Sequence, residues 1–154
     1  MPATSTDRIE KQIVLDSPRS RVWRAITDVS EFNAWFGVEL TSPFTTGAKV
    51  SGKINIPGYE HVVATVWVEK IEPEHRFSFR WHPSAIDPKV DYSKEPTTLV
   101  TFTLEDVKGG TKLTVVESGY DALPESRRAA AFANDESGWE SQTQRISAYL
   151  KTHP

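Results

Sequence analysis

The sequence predicts an α+β fold: a curved antiparallel sheet of six to seven strands wrapped around a long C-terminal helix, with two short helices after the first strand. Three observations carry this. Apolar and polar residues alternate with a period of two in several short segments, the mark of half-buried strands. These are joined mostly by short turns, and parallel strands would need long crossovers. Beyond Pro124 the period changes to a helical one.

Taken in order, Ile9–Leu15 reads as the first strand, after a polar N-terminus over residues 1–8 that is expected to fray. Asp16-Ser17-Pro18 stops it, with Ser17 placed to cap a helix and Pro18 suited to the first helical position. Val22, Trp23 and Ile26 give that helix an apolar stripe through about Thr27. Asp28-Val29-Ser30-Glu31 has the form of a capping box opening a second short helix with Phe32, Trp35 and Phe36, which Gly37 ends. Strands follow at Val38–Leu40, Ala48–Ile56, His61–Ile71, Arg76–Trp81, Thr98–Leu104 and Lys112–Glu117, the last two joined by the turn Lys108-Gly109-Gly110. Phe132, Trp139, Thr143, Ile146 and Leu150 then form one narrow stripe at 100° per residue. They predict a helix from near Pro124 to near Lys151. Gly138 lies inside it at a cost of about 1 kcal/mol relative to alanine, and a break around Asn134–Gly138 is the alternative.

The chain has 154 residues, which suits a single domain over residues 9–151. Its formal net charge is −3, without a basic run or stripe, so a nucleic-acid partner is not expected. There is no cysteine, which excludes disulfides, zinc–thiolate sites and thiol catalysis. No segment reaches the roughly 20 apolar residues of a membrane span, and the start lacks the apolar core of a signal peptide. The expectation is a cytoplasmic monomer or small oligomer such as a homodimer.

A sheet of this length has a concave face wider than one helix fills, which leaves a cavity. Phe77, Phe79 and Trp81 share one strand face, and Trp35, Phe36, Trp67 and Trp139 add aromatic surface; packing of an ordinary core is the bland reading of each. Glu117 is the sharpest polar candidate, because it continues the face of Leu113 and Val115. It either looks into the cavity as an anchor or acid/base, with a raised pKa, or reaches water, or pairs with Arg80 or Arg128. The histidines at 61, 75, 82 and 153 show no ligand spacing, so no metal is expected. Ser17, Ser30 and Ser118 suit caps and a turn, and Lys108–Thr111 does not match a phosphate loop, so no cofactor is expected. The loop His82–Pro96, with prolines at 83, 88 and 96, exceeds the usual connection of about 4–6 residues and has the length of a binding loop or lid. Its Asp87, Lys89, Asp91, Lys94 and Glu95 read as a solvated surface of mixed sign.

The run Pro18–Gly37, with Val22-Trp23 and Asn33-Ala34-Trp35-Phe36-Gly37, resembles the N-terminal signature of the START-like (SRPBCC) superfamily. Val116–Pro124, with Gly138-Trp139, Ile146 and Leu150, is similar to the branch related to the C-terminal domain of the activator of the heat-shock-protein-90 ATPase. The resemblance covers about residues 9–151. It implies a helix-grip fold with an apolar cavity between sheet and last helix. With the aromatic surface and Glu117 read above, the expected function is binding of a small apolar or aromatic molecule, held by Trp35, Phe36, Trp67, Phe79, Trp81, Glu117, Tyr120 and Trp139. A cyclase or hydrolase using Glu117 as acid/base, assisted by His61 or Arg80, is an alternative. So is a chaperone-associated interaction module tied to the stress response.

Overall fold

The computed structural model describes residues 7–87 and 89–154. The fraying expected of residues 1–6, and the loop proline at 88, lie outside the described residues.

Seven strands form one antiparallel sheet: β1 (Arg8–Leu15), β2 (Val38–Leu40), β3 (Lys49–Ile54), β4 (Val63–Glu72), β5 (Arg76–Trp81), β6 (Thr98–Val107) and β7 (Gly110–Ser118). Their order is β1-β7-β6-β5-β4-β3-β2, so the first strand lies beside the last and every other neighbour follows in sequence. Helices α1 (Arg19–Thr27) and α2 (Val29–Phe36) bridge β1 to the far edge. A one-turn 3₁₀ helix (Tyr120–Ala122) leads into α3 (Glu125–Thr152), which packs on β1 and α2. This is the α+β, helix-grip architecture that the alternating segments predict.

The core lies between the concave sheet face and α3. Along β7, Thr111, Leu113, Val115 and Glu117 are buried while the residues between them are less so; along β6 the buried row is Thr98, Val100, Phe102 and Leu104. These rows meet Ala131, Trp139, Ile146 and Leu150 of α3. Trp139, Ile146 and Leu150 fall where the helical period puts them. Phe132 is only partly buried, its ring set edge-on against Tyr120 at 5.2 Å, and Ala131 takes the inner position.

Several boundaries differ from the sequence reading. Residue 8 already pairs with Ser118, so β1 starts one residue early. β3 stops at Ile54 because Asn55 N–H turns to the Gly37 carbonyl and Ile56–Tyr59 forms a turn. β4 starts at Val63, not His61, because Val62 N–H closes a turn on Tyr59. Ser17 does not cap α1 with its side chain: Pro18 occupies the N-cap, and the Ser17 carbonyl accepts from the Thr111 hydroxyl at 2.7 Å. Asp28 caps α2 through Ser30 N–H and Glu31 N–H, but Glu31 does not complete the box. It pairs instead with Arg21 and Arg24 and accepts from the Tyr149 hydroxyl. Helix α3 is unbroken through Asn134–Gly138.

Candidate functional site

Strand register builds the base of the site. Trp81 on β5 stands opposite Thr98 on β6, and Val100 stands opposite Glu117 on β7. Thr98 is therefore a diagonal neighbour of Glu117 on the same face, within reach of a side-chain bond. The Thr98 hydroxyl and the Trp81 indole N–H (2.7 Å) both donate to Glu117 Oε2. From α3 above, the Trp139 indole N–H donates to Oε1 at 2.8 Å. Glu117 is completely buried, so these bonds replace the water a carboxyl needs. It does not reach solvent at the strand end. Nor does it pair with the two arginines considered for it: Arg80 holds Glu69 on the opposite sheet face, and Arg128 donates to the carbonyls of Asp121 and Leu123.

Above this buried node two clefts open side by side. One, of about 370 Å³, runs along α3 between Phe36, Ile56, Trp81, Asp135, Trp139 and Arg145. The other, of about 460 Å³, lies between β4 and the loop after β5, where Ala64, Trp67, His82, Ala85 and Ile86 form its walls. They share Phe36, Ile54, Trp81, Asn134 and Asp135 in their walls, and so adjoin as the two lobes of a hollow around these residues. Aromatic contacts make its walls stiff. The rings of Trp81 and Trp139 stack at 5.8 Å, and Phe36 meets both, at 6.1 and 6.0 Å.

Of the residues singled out in the sequence, Phe36, Trp81 and Trp139 line this hollow; Trp67, opposite Lys49 and Arg80 in register, stands on the other sheet face and borders only the outer end of the second cleft. Glu117 and Tyr120 lie beneath it. Trp35 and Phe79 are in the core, where the Trp35 indole N–H donates to the Ala25 carbonyl at 2.8 Å. His61 is exposed and sits near the Ile86 carbonyl, and Arg80 points away from the cavity face.

Asp135 is the residue the sequence reading missed. It lines both lobes, and its Oδ2 accepts from the Tyr120 hydroxyl at 2.7 Å. Burial and the neighbouring Glu117 carboxyl push its pKa up to about 8 and favour its neutral form. The same burial, with Glu117 and Asp135 beside it, holds the Tyr120 phenol well above its usual range. A signal was present. Asp135, Gly138, Gln142 and Arg145, at spacings of three, four and three, form a second stripe along α3 next to the apolar one. A glycine in such a stripe leaves space: a Cβ on Gly138 would meet nothing within 4 Å.

The other wall of the larger lobe is tied down from α3. Arg127 grips Glu95 through Nε and Nη2 (2.7 Å at the closest), donates to the Pro83 and Ser84 carbonyls, and lies over the Tyr92 ring. Asn134 adds a bond to the Ser84 hydroxyl at 2.8 Å. Burial pushes the His82 imidazole down in pKa, and its Nδ1 is buried without a hydrogen-bond partner among the described residues. No cluster of metal-binding side chains occurs among the described residues.

Residues 16–151 match the family model described as activator of Hsp90 ATPase homolog 1-like protein. The chain belongs to that family. Solved structures agree with this fold. DynU16, from the dynemicin biosynthetic locus, is 28% identical with a TM-score of 0.73 over 96% of this chain, which spans only 48% of DynU16. MLL2253 from Mesorhizobium loti is 21% identical (TM-score 0.74; 96% of this chain, 98% of that one). Ms6760 from Mycobacterium smegmatis is 18% identical (TM-score 0.74; 97% and 94%). No curated protein matches the chain. Within the activator-like family, then, this member carries an aromatic hollow between sheet and C-terminal helix, and no helix among its described residues is long and apolar enough to cross a membrane.

Proposed function

We propose that the protein binds a small apolar or aromatic molecule in the two-lobed hollow between the curved sheet and α3. Phe36, Trp81 and Trp139 contact the ligand in this reading, with Trp67 bordering the outer end of the second lobe from the other sheet face, while Trp35, Phe79, Glu117 and Tyr120 hold the walls in place. The observation that carries it is a pair of adjoining clefts, of about 370 and 460 Å³, that share Phe36 and Trp81 in their walls. Pockets that take small ligands fall in the range of about 300–1,000 Å³ and combine apolar walls with a few polar groups. Burying a few hundred Å² of apolar ligand surface at about 25 cal/mol per Å² yields several kcal/mol before the costs of association. The 28% identity to a protein of a biosynthetic locus supports a small-molecule context.

A screen of aromatic compounds by tryptophan emission and melting temperature tests this, with Gly138→Leu as the blocked control. Position 138 faces open space in the hollow, so leucine fills it without disturbing the core and improves helix propensity by roughly 1 kcal/mol. Compounds should shift wild-type emission and lose their effect on the leucine variant. Equal responses from both proteins, or none from wild type, would remove the proposal.

A further inference from the structure

The charges around the hollow are unbalanced. Three lining side chains carry ionisable groups of fixed sign: Asp135 in the middle, Arg145 at the end of one lobe and Lys49 in the other. The acid is masked, because it accepts from Tyr120 and lies against Glu117 in a setting that favours its neutral form. The two cations are not. Among the described residues neither Arg145 nor Lys49 makes an ion pair; Lys49 stands over the Trp67 ring and both are exposed.

Arg145 is also held in place. Its Nε donates to the Trp35 carbonyl at the C-terminal end of α2, at 2.8 Å. Its Nη2 rests over Gly37, so closely that a Cβ there would come within 2.9 Å of it. With Nε engaged, both terminal nitrogens of the guanidinium remain, and a planar fork of this kind matches a carboxylate. Ten residues of helix separate Arg145 from Asp135, about 15 Å, with Trp139 and Gly138 between them. An elongated molecule can place a charged end at one and an apolar body toward the other.

We propose that the ligand is an organic anion, an apolar or aromatic carboxylic acid whose carboxylate is received by Arg145 while its body lies against Phe36, Trp81 and Trp139. This deepens the small-molecule reading above and rests on it. An amine or other cation finds no unmasked acid in the hollow and meets Arg145 or Lys49 at either end.

Calorimetric titration at mildly acid to neutral pH with three matched acid–amide pairs (phenylacetate, naphthoate and biphenylcarboxylate against their carboxamides) tests the inference. At least one acid should bind about tenfold or more tightly than its amide, the scale of one charge-assisted contact, and added salt should narrow the gap. Arg145→Gln should bring the ratio close to one while leaving the amide's affinity nearly unchanged, and Arg145→Lys should restore part of the preference. Amides that bind as well as acids would overturn the anion, and a preference that survives Arg145→Gln would overturn Arg145 as its receiver; either result leaves the apolar cleft standing. Failure of all six compounds to bind would take the cleft reading down as well.

Discussion

The indole N–H of Trp139 donates to Glu117 Oε1 at 2.8 Å, joining the middle of the C-terminal helix to the end of the last strand. Trp81 and Thr98 complete the node on the other oxygen. A carboxyl here supports the ring walls of the hollow and does not touch its contents. Replacing it orphans buried donors, each costing about 1–3 kcal/mol. Glu117→Leu should therefore destabilise the fold by roughly 3–5 kcal/mol in urea unfolding. Glu117→Gln should cost less, since its amide oxygen still accepts on one side. A loss under about 1 kcal/mol for Glu117→Leu would show that the node is not structural.

Asp135 gives stability a pH dependence of definite sign. Its folded pKa of about 8 lies above the ordinary aspartate value of 3.8. Between those values the folded chain holds more protons than the unfolded one, so stability falls as pH rises through this window. Burial raises it most and Glu117 on β7 adds to the rise, while the Tyr120 hydroxyl and Arg127 on α3 oppose it. Asp135→Asn should flatten the profile and raise stability around pH 8 and above. Urea midpoints at about pH 5, 7 and 9 check it; parallel profiles for both proteins would contradict it.

Arg127 is expected to govern the wall formed by the loop after β5. Arg127→Gln removes the grip on Glu95 and on the Pro83 and Ser84 carbonyls. Trypsin should then cut after Lys89 and Lys94 several-fold faster, with only a modest change in overall unfolding, because local opening is separable from global opening. Unchanged cleavage would mean the loop is held by other contacts.

Gly37 combines two constraints. Its φ is +89°, and a Cβ would sit 2.8 Å from Ile56 Cγ1 as well as against Arg145. Gly37→Ala should cost about 1–2 kcal/mol for the backbone alone. It should also weaken acid binding more than amide binding, by displacing the guanidinium. Equal weakening of both would separate Arg145 from the anion.

The fold was largely legible because its signals are local and periodic: the alternation in β5–β7, the Asp28 cap and the stripe through Trp139, Ile146 and Leu150 all come from neighbours in sequence. Glu117 was picked out for a correct reason, its place on the inner face. Its surroundings were not legible, since they depend on Trp81 and Trp139 arriving from elements 36 and 22 residues away. Asp135 is easily overlooked because the stripe that predicts the helix is drawn from Phe132, Trp139, Ile146 and Leu150, and a polar residue beside it reads as the solvent face. Only the packed helix shows Asp135 and Gly138 to be part of the lining of a hollow. Ser17 misled for a similar reason: its carbonyl is used by Thr111, a partner 94 residues away.

The five tryptophans offer the most direct test of the central claim. In a nitrogen–proton NMR spectrum each indole N–H gives its own peak. Adding a binding aromatic acid should move the peaks of Trp81 and Trp139, which line the hollow, and leave Trp35, bonded to Ala25 inside the core, in place. Shifts confined to Trp23 and Trp35, with the two cleft indoles unmoved, would contradict binding between the sheet and α3.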